Sequence, residues 1–119
     1  MRIYSFSTSA GHQAGGFGND FVLSPLTSLD GAASVACFHL AAGGYVGEHE
    51  AVVGQLFCVV EGQGWVSGRD GRQKPIHAQQ AAYWEPGEMH AAGSDSGLIA
   101  IVVEGNDFEV MASESDHDP

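Results

Sequence analysis

The amino-acid sequence predicts an all-β protein, with one domain spanning residues 1–119 and folded as a β-sandwich or β-barrel. Three observations support this prediction. Short segments rich in β-branched and aromatic residues recur along the chain, separated about every eight to twelve residues by turn signals such as Asp70-Gly71. The 17 glycines are spread along the chain instead of being concentrated in one linker. No segment keeps the period of apolar residues that an amphipathic helix needs.

The predicted strands can be followed from the N-terminus. Residues 3–6 form a short first strand, and residues 7–20, rich in Gly, Ser and Ala, form a long loop. The clearest strand is 55–61 (QLFCVVE), which is apolar on both faces and must therefore be covered on both sides. We expect the acidic segment 112–119 to fray. The other predicted strands are 21–23, 33–40, 65–67, 75–77, 81–84, 98–104 and 108–111.

Composition excludes several classes of partner. The net charge is −11, and the fixed positive charges are limited to Arg2, Arg69, Arg72 and Lys74. Nucleic acids and anionic membranes require clustered basic residues, so neither is an expected partner. The longest apolar run, 98–103, is too short to span a bilayer. No secretory signal is apparent, so we expect a cytoplasmic protein in which Cys37 and Cys58 are buried free thiols.

Glycine and polar residues recur at regular intervals in the segment 43–62. Gly43 is followed after five residues by His49, and Ala51 and Gln55 come next before Gly62 ends the pattern. This spacing resembles the first motif of the cupin family. In that motif a second His stands at the position of Ala51, and a Glu stands at the position of Gln55.

A second pattern follows after a short spacer. Gly87 precedes His90 by three positions, and Ser94 lies four residues further on. The spacing resembles the second cupin motif, with three departures. Gln79 stands where the family has Gly, Pro86 is shifted by one position, and Ser94 replaces Asn. The two motifs together cover about half of the chain.

The resemblance implies an antiparallel jelly-roll β-barrel of about six to eight strands with one interior pocket. Because side chains alternate along a strand, His49, Ala51 and Gln55 should point to the same face. In cupins that face is the barrel interior, and His90 would meet His49 there from another strand. We therefore expect the His49, Gln55 and His90 side chains to converge in one pocket.

Two alternatives for this pocket stay open. In the first, His49, Gln55 and His90 bind a divalent ion (Fe, Mn, Ni, Cu or Zn), helped by a carboxylate such as Glu50 or Glu88 that a local distortion turns inward. In the second, the pocket is metal-free and its histidines form hydrogen bonds or transfer protons. Loss of two family ligands, at Ala51 and Gln55, favours a non-catalytic binding or sensing module over an enzyme.

The expected partner in either case is a small organic molecule. If the protein is an enzyme, the resemblance implies oxygenase, isomerase, lyase or cyclase chemistry with His49 and His90 as catalytic residues. A non-catalytic binding or sensing module is the alternative. The side chains expected to contact the molecule lie near the two motifs: Gln55, Phe57, Trp65, Trp84 and Met89.

An apolar stripe on the predicted strand 55–61 suggests a homodimer. Phe57 and Val59 point inward with Gln55, so Leu56, Cys58 and Val60 face outward. Exposed apolar patches of this kind usually mark interfaces. We therefore expect two copies to associate, unless another part of the chain, such as residues 7–20, covers the stripe.

Overall fold

Strands form nearly all the regular structure in the computed structural model, which describes residues 1–14 and 21–114. The described residues include one turn of 3-10 helix, Thr8–Ala10. The strands are β1 (Arg2–Ser5), β2 (His12–Ala14), β3 (Phe21–Leu23), β4 (Thr27–Ser28), β5 (Ala33–Leu40), β6 (Tyr45–Glu50), β7 (Gly54–Ser67), β8 (Gln73–His77), β9 (Gln80–Trp84), β10 (Met89–Gly93), β11 (Leu98–Gly105), β12 (Glu109–Val110) and β13 (Ser113–Glu114).

Strand β7 is long enough, at 14 residues, to belong to two layers. Its first part lies between β9 and β11, in a layer ordered β5-β11-β7-β9-β1-β13. Its second part lies between β8 and β10, in a layer ordered β6-β10-β7-β8. Every pairing is antiparallel. This arrangement is a jelly roll, so the predicted fold class is confirmed.

The main core fills the space between the two layers. Phe57 and Val59 of β7 point into it, as the alternation of side chains predicts, and Val66 enters from the second layer. Burying this set supplies the principal driving force for folding. The other buried members are Ile3, Ala51, Ile76, Ala82, Trp84, Ala92, Leu98, Ala100 and Val102.

A second apolar cluster covers the opposite face of β7. Leu56 and Cys58 are buried there, so the expectation that they form an exposed stripe is wrong. The covering side chains include Leu26, Phe108 and Val110, from the segments around β4 and β12. Of the proposed stripe, Val60 alone is exposed. The apolar-stripe argument for a homodimer therefore does not hold.

Several local predictions meet a mixed outcome. The Asp70-Gly71 turn is confirmed between β7 and β8, with Gly71 at φ +73°. Within the segment 112–119, expected to fray, Ser113–Glu114 form β13 and pair with β1, and residues 115–119 lie outside the described part of the chain. The predicted loop 7–20 contains β2, which pairs with β3, while residues 15–20 lie outside the described part. No helix in the described ranges has the length and apolar character needed to cross a membrane.

Candidate functional site

His49 and His90 lie side by side on two neighbouring strands. β6 and β10 pair so that His49 is directly opposite His90, and the two imidazole ring centroids are 4.3 Å apart. His90 is only 3% exposed, whereas His49 lies at the surface. One imidazole is therefore inside the barrel and the other at the entrance to it.

Hydrogen bonds fix the tautomer of both rings. Nδ1 of His49 lies 2.8 Å from the Gly47 carbonyl oxygen, and Nδ1 of His90 lies 3.1 Å from the Glu88 carbonyl oxygen. A carbonyl oxygen only accepts, so each Nδ1 carries the proton and donates it. In the neutral rings Nε2 then keeps a free lone pair, which is the arrangement that metal-binding histidines usually show.

The Trp84 indole lies against the other side of His90. The two ring centroids are 4.3 Å apart at an angle of 32°, and Trp84 Nε1 donates a buried hydrogen bond to the Ser67 carbonyl. Burial lowers the pKa of His90, and repulsion from His49 adds to the effect. The Glu88 carbonyl and the Glu88 and Glu104 carboxylates oppose it without cancelling it. His90 is therefore a neutral imidazole at neutral pH.

Gln55 enters the same pocket from β7 and leaves one atom without a partner. The side chain is 7% exposed, and its Nε2 donates to Glu104 Oε1 over 2.5 Å. The Oε1 atom is buried and accepts no hydrogen bond in the described structure. Leaving a buried acceptor unsatisfied costs about 1–3 kcal/mol of folding free energy. This oxygen therefore indicates a pocket suited to an occupant that supplies a hydrogen-bond donor or a positive charge.

The sequence predicted His49, Ala51 and Gln55 on one regular strand, but the structure does not have them on one strand. β6 ends at Glu50 and β7 begins at Gly54, so His49 and Gln55 belong to different strands in different layers. Ala51, between them, is buried and exchanges backbone hydrogen bonds with Gly87 and Glu88. The convergence of the three side chains comes from the barrel, not from simple alternation.

The cavity between these residues is small. Its volume is about 20 Å³, which suits one water molecule or one ion but no organic molecule. An organic partner would have to approach at the exposed His49 side. The cavity is lined by Phe38, Val46, His49, Gln55, Phe57, Trp84, His90 and Ala92.

The expected contact residues separate into two groups. Phe57 and Trp84 line the cavity with Gln55, whereas Trp65 and Met89 do not. Trp65 lies along a separate surface groove of about 420 Å³, next to Gly93, where only a glycine leaves room for the indole. Met89 is exposed. Successive side chains on a strand point to opposite faces, so Trp65 points away from the face of Val66, and Met89 points away from the face of His90.

Neither carboxylate that the sequence suggested reaches the pocket. Glu50 is exposed on β6. Glu88 is buried but engaged elsewhere: it accepts hydrogen bonds from the Met1 amino group at 2.8 Å and from the backbone N–H groups of Glu85 and Arg69. Burial alone would raise the pKa of Glu88, but these hydrogen bonds hold it below its usual value. Glu88 is a structural anion beneath the turn that precedes β10.

Glu104 is the polar residue that sequence reasoning missed. It lies on β11 in register with Gln55, to which it is hydrogen-bonded. The signal was present, because Leu98, Ala100 and Val102 are buried and Glu104 continues their alternation on the inward side. The described residues contain no group of three or more His, Cys, Asp and Glu side chains placed to hold a metal.

Comparison with known proteins identifies the architecture. No protein-family model and no curated protein matches the chain. Among solved structures, it is similar to a cupin superfamily protein from Desulfitobacterium hafniense, with a TM-score of 0.59 and 16% identity over 71% of this chain and 77% of that one. The chain has the cupin fold. It is also similar to a cupin 2 conserved barrel domain protein from Salinispora arenicola (TM-score 0.58, 18% identity, 87% and 82% covered).

A third similar structure belongs to a protein whose name includes an enzymatic activity. This protein from Thermotoga maritima is described as a predicted oxalate decarboxylase, and the match has a TM-score of 0.56 and 16% identity over 90% of this chain and 97% of that one. Identity this low relates the two proteins by fold alone, so the chemistry has to be argued from the pocket.

Two positions of the cupin motifs, the retained Gly62 and the altered Ser94, have structural explanations. A Cβ on Gly62 would lie 2.4 Å from the Gly97 carbonyl oxygen, so this motif position has no room for a side chain. Ser94, which stands in place of the family's Asn, donates its hydroxyl to the Gln63 carbonyl and accepts from the Gly97 N–H. Ser94 thus joins β7 to the turn before β11. The frame of both motifs is retained by packing and backbone hydrogen bonding.

Proposed function

We propose that the interior pocket binds one divalent metal ion through Nε2 of His49, Nε2 of His90 and Oε1 of Gln55. The observation that carries this proposal is the Gln55 oxygen, a buried acceptor without a partner beside two imidazoles with free Nε2 lone pairs. Three electron-pair donors around a cavity of about 20 Å³ favour a small cation over a neutral organic molecule.

The donor chemistry suits first-row transition metals. Neutral imidazoles bind Mn, Fe, Ni, Cu and Zn, and an amide oxygen is an acceptable though weak ligand. His90 is neutral because burial lowers its pKa, so it needs no proton loss to bind an ion near neutral pH. With no carboxylate among the three donors, we expect the ion to exchange readily and to leave coordination positions for a partner molecule.

When bound, such an ion supplies Lewis-acid activation of an oxygen atom on a small organic molecule. The residues of the chain have separate tasks around it. His49, exposed at the entrance, meets the incoming molecule, while Trp84 and Phe57 form the apolar wall that keeps water away. We propose oxygenase, isomerase, lyase or cyclase chemistry on a small substrate at this entrance.

A metal-free function is the second candidate, and the state of His90 favours it. Burial lowers the pKa of His90, and its Nε2 is unprotonated, so the ring can accept a proton from a bound molecule as a general base. In this case a donor group of the ligand, or a water molecule, would satisfy Gln55 Oε1. The protein would then be a binding module or a metal-independent enzyme.

Titration calorimetry with Mn, Fe, Ni, Cu and Zn distinguishes the two candidates. We expect the wild-type protein to bind one equivalent, and the His49→Ala, His90→Ala double variant to lose at least 100-fold in affinity, because two of the three donors are gone. The matched control is His39→Ala, His77→Ala, which removes two exposed histidines outside the pocket and should leave affinity unchanged. Equal binding by all three proteins, or none by the wild type, would support the metal-free candidate.

A further inference from the structure

Gln55 and Glu104 form a polar pair on neighbouring strands of the barrel. They are register partners on β7 and β11, separated by 49 positions in the sequence, and their side chains meet in a single hydrogen bond. The other inward residues of β11 that precede Glu104 are apolar. A carboxylate at this place needs an explanation beyond packing.

The chemistry of the pair determines which atom Gln55 offers to the pocket. A carboxylate can only accept hydrogen bonds, so the amide nitrogen of Gln55 must face Glu104. Turning the amide by 180° would set two acceptor oxygens against each other. With the nitrogen held by Glu104, the amide oxygen is left buried and unpaired beside His49 and His90.

We propose that Glu104 is a positioning residue that makes Gln55 an oxygen ligand and supplies the negative charge that the three donors lack. This inference rests on the proposed metal site. A single glutamate would supply both the ligand oxygen and the compensating negative charge. Here Gln55 supplies the oxygen and Glu104 supplies the charge, and a hydrogen bond joins the two side chains.

An exchange variant, Gln55→Glu with Glu104→Gln, tests the assignment without changing the number of atoms, the net charge or the hydrogen-bonded pair. It places the carboxylate next to the imidazoles and the amide behind it. We expect the affinity for Mn or Zn, measured by calorimetry, to rise at least 10-fold because a charged oxygen replaces a neutral one.

The single variant Glu104→Gln removes the charge and frees the Gln55 amide to turn. We expect affinity to fall about 10- to 100-fold, the usual effect of losing a group that orients a metal ligand. The electron paramagnetic resonance spectrum of the Cu-loaded protein should also change, because the oxygen donor is no longer fixed. The matched control is Glu50→Gln, which removes an exposed carboxylate beside His49 and should change neither affinity nor spectrum.

The outcomes separate this inference from the proposed function. If the wild type binds no metal, the proposed function fails and the inference fails with it. If the wild type binds metal but Glu104→Gln keeps the same affinity and the same spectrum, the metal site stands and the role of Glu104 is refuted. A rise in affinity for the exchange variant together with a loss for Glu104→Gln supports it.

Discussion

The two cysteines show how position within the barrel sets the chemistry of a residue. Cys58 is buried beneath the second apolar cluster, and burial raises the pKa of its thiol to about 11. Cys37, expected to be buried, is exposed on β5, with its Sγ 3.5 Å from Nε2 of His39. Both thiols are free, but Cys58 is buried, so Cys37 is the one that reagents can reach.

The raised pKa of Cys58 predicts a loss of stability at alkaline pH. In the unfolded chain the thiol ionises near pH 9, whereas in the folded chain it stays protonated until about pH 11. The protonated buried thiol therefore stabilises the folded state fully below pH 9, and this stabilisation is lost between pH 9 and 11. At pH 10.5 the free energy of unfolding has fallen by about 2 kcal/mol. The measurement is urea unfolding with a reductant at pH 7.5 and 10.5.

A Cys58→Ala variant should lose about 2 kcal/mol less stability than the wild type between these pH values. Cys37→Ala is the control, because it removes an exposed thiol instead of the buried one. If Cys58→Ala and the wild type lose equal stability, ionisation of this thiol does not couple to folding.

Three residues of the candidate site were predictable from the sequence because they lie in two short spaced motifs. His49 and Gln55 lie in one spaced motif and His90 in another, and the structure brings all three to one cavity. Glu104 belongs to neither motif. Its role depends on the register between β7 and β11, a pairing of residues 49 positions apart that local pattern does not specify.

At the scale of elements, residue composition predicted the central strands but not β6 and β10, where strands were expected only from the motif resemblance. Segments 55–61, 81–84 and 98–104 are dense in β-branched and aromatic residues and lie within β7, β9 and β11. β6 has only Tyr45 and Val46 of these residue types, and β10 has none. They are strands because each pairs with the other in the barrel, where tertiary context outweighs intrinsic preference.

The hairpin between β8 and β9 contains a strained residue. Gln79 has φ +75°, in the left-handed region that favours glycine, and it stands where the cupin motif has Gly. Its N–H donates to the Val59 carbonyl and its carbonyl accepts from the Phe6 N–H, so the surrounding strands hold this conformation. The turn is tolerated because bonds on both sides fix it.

Replacing Gln79 with glycine should stabilise the protein by about 0.5–1 kcal/mol, because relief of the left-handed strain exceeds the added entropy of the unfolded chain. Chemical unfolding measures the change. The control, Gln73→Gly, alters an exposed position of β8 with ordinary backbone angles and should cost a similar amount. Destabilisation by Gln79→Gly would show that the glutamine side chain contributes contacts worth more than the strain.

At the scale of the whole molecule, the outer strands of the two layers are protected unequally. An open strand edge invites pairing with another chain unless charge, proline or shortness prevents it. β6 carries Glu48 and Glu50, β8 carries Lys74 and Pro75, and β13 has only two residues. β5 has eight residues with no Asp, Glu, Lys, Arg or Pro among them.

β5 is therefore the outer strand that is least protected against pairing with a second copy of the chain. Its first five residues, 33–37, are exposed on both faces, and among the described residues only β11 pairs with it. The net charge of −11 makes most contacts between copies repulsive, but two uncharged β5 strands can approach. A two-fold axis would make the contact antiparallel and self-complementary. The apolar stripe no longer supports a homodimer, but the unprotected edge of β5 gives a separate reason to expect one.

We propose that two copies join through antiparallel β5 strands, which continues the β11-β5 layer from one copy into the next. Light scattering at micromolar concentration should then give about twice the chain mass of 12.4 kDa. Val35 is 65% exposed on β5, so Val35→Lys should leave the fold intact, place like charges close together across the two-fold axis and yield a monomer. Val52→Lys, at a position 83% exposed away from β5, makes the same change in charge and should remain dimeric. A wild-type protein that scatters as a 12.4 kDa monomer, or a Val35→Lys variant that stays dimeric, would exclude β5 as the interface.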